Sequence, residues 1–142
     1  MSESLSMSKR RVLAIINYVC LFLLVILFYI GKYHGWGFII IAGLGATLLV
    51  NLATFRILHL KTKLWKQVHS NADQLDERQM IRTLESVKLS YIIFSFLSLL
   101  VIFYISLMAG KHDSMIMLIY VSLLYLAHTL PSSILAWTER EV

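Results

Sequence analysis

Four stretches of the chain, residues 12–31, 36–55, 89–108 and 115–137, are strongly apolar and contain no Asp, Glu, Lys or Arg. A helix needs about 20 such residues to cross roughly 30 Å of hydrocarbon. Only elements that satisfy their own backbone hydrogen bonds survive there. The pattern specifies an all-α polytopic protein with four transmembrane helices in one integral membrane domain spanning residues 1–142. The connectors at 32–35 and 109–114 are so short that the helices must pair as two antiparallel hairpins. A hydrophobic content of 58% and a mean hydropathy of +0.75 are too apolar for a chain dissolved in water.

The polar stretch 56–88 divides the two hairpins, and the basic residues are gathered on its side of the membrane. Of 13 Lys and Arg, only Lys32 and Lys111 fall in the short connectors; the others lie near the termini or in 56–88. Positive charge marks the cytoplasmic side. A multi-pass protein of the cell membrane with both termini cytoplasmic is therefore expected. The net charge of +5 then reports orientation rather than nucleic-acid binding. The lone cysteine, Cys20, excludes an internal disulfide and paired-cysteine redox chemistry.

Helix one follows Lys9-Arg10-Arg11 and is expected to be retained, being longer than the apolar core of a cleaved signal. In helix two, Ala42 and Ala46 form a small-xxx-small pair, which suits close packing within the bundle or a dimer contact. After Phe55, Ile57, Leu60, Leu64 and Val68 recur at helical spacing. Arg56, Lys61, Lys63 and Lys66 accompany them without a carboxylate, a pattern that attracts anionic lipid. This run could lie on the membrane surface or pack on a neighbouring helix. Asp73 is the expected N-cap of a third helix running unbroken over 74–108, a cytoplasmic extension leading into the span. Its apolar stripe reads Ile81, Leu84, Val87 and Tyr91.

The run Leu75-Asp76-Glu77-Arg78-Gln79-Met80-Ile81, with the late Leu130-Pro131 and Ala136-Trp137, resembles small four-helix bacterial inner-membrane proteins of uncharacterised function. These carry a D-E-R-x-x-x-I segment between their second and third spans. The resemblance implies the same four-span plan and carries no activity with it. Asp76, Glu77 and Arg78 could bind a partner, although a helix cap on a solvated face explains the same residues.

Helix four is the most polar span. Ser122, Tyr125, Thr129 and Ser132 share a face, and Pro131 removes one backbone hydrogen bond. Asn17, Tyr18, Asn51, Tyr91, Ser95, His128, Thr129 and Ser132 all belong to the cytoplasmic half of the bilayer. They are expected to converge, either as a ligand or proton site or as interhelical glue. No span holds the carboxylate that a small proton-coupled exporter would need. His59 and His69 are read as solvated, and no metal-ligand spacing or cofactor motif is present. No nucleophile has a base beside it. Three functions follow: an interaction or accessory protein, with a homo-oligomer or another membrane protein as partner; a small transporter or lipid-binding protein using the polar layer; and a membrane enzyme.

Overall fold

The computed structural model describes residues 5–71, 75–107 and 114–138. It is helical throughout, with α1 at Met7–His34, α2 at Phe38–Phe55, a π-helical turn at Arg56–Lys61, α3 at Leu64–His69, α4 at Glu77–Leu107 and α5 at Ser114–Thr138. Four of these segments, Met7–His34, Phe38–Lys61, Glu77–Ile105 and Met115–Thr138, are long and apolar enough to cross a membrane. The chain is an all-α multi-pass membrane protein.

α1 begins where the Ser6 hydroxyl accepts from the Lys9 N–H at 3.4 Å. It ends at Gly35, whose φ of 103° lies in the region that favours glycine. The Gly35 N–H donates to the Gly31 carbonyl at 3.0 Å, and Gly37 starts α2, so the hairpin closes in three residues. Trp36 folds back over Gly31, where an added Cβ would stand 2.7 Å from ring carbons. The Trp36 ring also meets Phe28 edge-on at 5.4 Å.

α1 packs along α2 and α4 along α5, which are the two expected hairpins, and α5 joins them by packing also on α1. Gly43 faces Leu27 of α1, whereas Ala42 and Ala46 lie on the exposed side of α2. The small residue that admits α1 is thus the glycine between the two alanines. α5 runs through Pro131, which is buried.

Beyond Phe55 the chain does not continue straight. The π-helical turn takes in an extra residue, so the neighbours Leu58 and His59 both face inward and the even helical stripe is broken. Lys63 then adopts a left-handed conformation, φ 61°, and turns α3 back against the bundle. Leu58 and Leu64 are buried with Ala14, Leu135 and Ala136, and Leu13 and Val68 pack around them. Of the two expectations for this run, packing on a neighbour is the one observed.

Asp76 caps α4: its Oδ1 accepts from the Gln79 N–H at 2.7 Å, and its carbonyl accepts from the Met80 N–H at 2.9 Å. Asp73, the residue expected there, lies outside the described residues, as do Gln74 and Met108 at the ends of the expected helix. At 31 residues α4 measures roughly 46 Å, longer than the ~30 Å hydrocarbon layer. Its inward face is Thr83, Ser86 and Ser90, all buried, whereas the expected stripe of Ile81, Leu84, Val87 and Tyr91 faces out. Small residues on that face let α4 approach its neighbours closely. The Ser86 and Ser90 hydroxyls donate to carbonyls of their own helix at 2.8 and 2.6 Å, so they pack as small side chains.

Candidate functional site

The polar residues of α1, α2, the π-helical turn and α5 meet in one layer near the end of the bundle that carries α3. Asn17 of α1 donates to the Asn51 carbonyl at 3.1 Å and to Thr54 Oγ1 at 3.0 Å. Asn51 of α2 returns a bond to the Asn17 carbonyl at 2.9 Å. Tyr125 of α5 donates its hydroxyl to Asn17 Oδ1 at 2.8 Å. Both amide hydrogens and the side-chain oxygen of Asn17 are therefore used, at a residue only 1% exposed.

One helical turn nearer that end, Tyr18 donates to Ser133 Oγ at 2.7 Å and lies 3.3 Å from Thr129 Oγ1. Ser132 Oγ donates to the Thr129 carbonyl at 3.0 Å and contacts His59 Nδ1 at 2.7 Å. With the serine proton directed at that carbonyl, His59 Nδ1–H is the donor to Ser132, and the lone pair of Nε2 points away. His59 is fully buried, and its Nε2 has no hydrogen-bond partner among the described residues. Phe55 lies 4.9 Å from the imidazole, centroid to centroid, and Trp65 lies 6.3 Å from it. The expectation of a solvated His59 is corrected, because the π-helical turn rotates the ring into the bundle. His69 is exposed, stacked on Trp65 at 4.3 Å.

Of the residues expected to converge, Asn17, Tyr18, Asn51, Thr129 and Ser132 belong to this layer. His128 is on the exposed flank of α5, and its Nδ1–H donates to the Leu124 carbonyl of its own helix at 2.9 Å. Tyr91 is 72% exposed on α4. Ser95 is half-buried on the same helix, which packs on α5 from outside the layer. Thr54, Tyr125, Ser133 and His59 take the remaining places. Tyr125 and Thr129 share a helical face with Ser132 and could be found from spacing; His59 carried no such signal.

At the end of the bundle, Arg11 donates to the Trp137 carbonyl at 3.0 Å and lies over its ring at 5.1 Å. Arg56, Lys61, Lys63 and Lys66 are exposed there, as are Glu77 and Arg78 at the start of α4. Asp76 is committed to its cap. Apolar side chains are exposed along the length of α4, from Ile81 and Leu84 through Phe96 and Leu99 to Phe103. Its first three turns combine that stripe with Glu77, Arg78, Arg82, Glu85 and Lys88. Arg82 and Glu85 pair at 3.3 Å. No family model matches the chain, nor does any curated protein or solved structure.

Proposed function

We propose that this chain is an interaction protein of the cell membrane, with both termini and the 56–88 segment cytoplasmic, and that the outer face of α4 is its docking surface. The single observation that carries the reading is the exposed stripe of Ile81, Leu84 and Val87 in the charged part of α4, before the apolar window begins at Leu89. An apolar stripe in lipid needs no partner, but one that continues into water does. The occupant is a helix of another membrane protein that also leaves the hydrocarbon with its apolar face intact. Arg82, Glu85 and Lys88 beside the stripe suit a helix of mixed charge.

The polar layer supports the same reading, since its side chains are largely consumed by one another and hold α1, α2 and α5 as a rigid base. The orientation follows the bias of Lys and Arg toward the α3 end.

A photo-crosslinking amino acid at Leu84 tests this in cells. The expected result is one discrete adduct with another membrane protein, lost when Ile81→Lys is added and absent when the probe replaces the inward Thr83. An adduct of twice the chain's mass would assign the face to a second copy instead. An adduct that survives Ile81→Lys, or none at all, would overturn the docking role.

A further inference from the structure

The turn that folds α3 back creates a second feature, a cleft of about 220 Å³ between α3 and the start of α4, lined by Thr62, Lys63, Lys66, Gln67, Ser70 and Gln79 with Leu75 beside them. We propose that this cleft binds a phosphate ester, the chemistry shared by an anionic phospholipid headgroup and a soluble phosphate.

Among the described residues the lining holds two ammonium groups and no carboxylate. Lys63, Lys66, Gln67 and Ser70 follow one another at spacings of three, one and three, which brings them to one side of the short α3. Among the described residues neither lysine takes part in an ion pair. Asp76, the nearest acidic side chain in sequence among the described residues, spends one oxygen on the Gln79 N–H. Ser70 and Thr62 direct their hydroxyls at carbonyls of their own chain, those of Lys66 and Leu58. Gln67 gives one amide hydrogen to Thr83 at 3.4 Å, which fixes the wall that faces α4. The lysine ammoniums thus remain as donors for an anion, with the second amide hydrogen of Gln67 and the amide of Gln79 beside them.

Both lysines are exposed at the cleft, so their ammoniums are free to reach an anion in it, and lysine serves phosphate as a point charge. The cleft lies at the basic end of the bundle, with Arg56 and Lys61 exposed nearby. Basic pockets between helices at that level select phosphate-bearing headgroups. Lys63 occupies a left-handed position that glycine would fill without strain. A substitution there can therefore remove the charge without harming the turn.

The test uses the full chain in nanodiscs of phosphatidylcholine, alone or with phosphatidylglycerol, and reads bound lipid by native mass spectrometry and bound anion by titration with glycerol 3-phosphate and inorganic phosphate. Retained phosphatidylglycerol identifies a headgroup as the source. Binding of glycerol 3-phosphate or phosphate alone identifies a soluble ester, and either result supports the site. The combined Lys63→Gly and Lys66→Gln substitutions should weaken that binding about tenfold or more, with undiminished melting temperature for Lys63→Gly alone. Arg78→Gln, outside the cleft, should leave binding within about twofold. Absence of binding to every probe would overturn the proposal. So would binding unaffected by the lysine substitutions, or equally weakened by Arg78→Gln.

Discussion

Asn17 and Asn51 each donate a side-chain amide to the other's main-chain carbonyl, at 3.1 and 2.9 Å, and this reciprocal pair fixes the register of α1 against α2. Both are buried, so the groups bonded to their side chains lose a partner that water does not replace. Asn17→Leu keeps the carbonyl that the Asn51 amide bonds, but takes the acceptor from the Tyr125 hydroxyl and a donor each from the Asn51 carbonyl and Thr54 Oγ1. A loss of about 2–4 kcal/mol is expected from unfolding in detergent, against about 1 kcal/mol or less for Tyr125→Phe. Comparable losses for the two would mean that Asn17 does not anchor the layer.

Ser132 and His59 give a sharper asymmetry. Ser132→Ala takes away the contact at His59 Nδ1 and leaves both ring nitrogens buried without a described partner, which should cost about 1–3 kcal/mol. His59→Leu removes the polar ring altogether and should be neutral or mildly stabilising, because its site between Phe55 and Trp65 is apolar. Melting temperatures of the two variants check the order; a larger loss for His59→Leu would assign the ring a role beyond the Ser132 bond.

Four spans and two hairpins were legible in the sequence because about 20 uncharged, largely apolar residues in a row are what a crossing of the hydrocarbon demands. The faces of α4 were not. A stripe of Ile81, Leu84 and Val87 reads as inward for a helix in water, but the small Thr83, Ser86 and Ser90 turn inward instead and let the helices approach. Asn17, Asn51 and Ser132 could be paired by depth, since each is costly against hydrocarbon. His59 could not, because the π-helical turn changes the period just where it lies. Nor could the turn at Lys63, where a left-handed residue is not announced by glycine.

The inverted faces of α4 are checked by exchanging sizes. Ser86→Leu puts a bulky side chain where α4 meets its neighbours and should destabilise by about 1–3 kcal/mol. Leu84→Ser, at a position 62% exposed, should change the stability of the isolated chain by about 0.5 kcal/mol or less. The reverse order of unfolding midpoints would restore the apolar stripe to the inside.

Gly31 separates helix propensity from close approach. Alanine there favours the helix by about 1 kcal/mol but drives Trp36, half-exposed at the hairpin, off its seat. The two effects should nearly cancel in melting temperature, while quencher access to Trp36 rises, read in a chain whose only tryptophan is Trp36. An unmoved Trp36 signal would mean the ring does not rest on Gly31.

A docking face in water requires that the apolar stripe of α4 leave the hydrocarbon. Spin labels placed singly at Ile81, Leu84, Ile92 and Leu99, in the full chain in nanodiscs, read this through relaxation by a water-soluble nickel chelate and by oxygen. At positions 81 and 84 the chelate should dominate, and at 92 and 99 oxygen should. Oxygen dominating at all four would place the whole stripe in lipid and contradict a docking face in water.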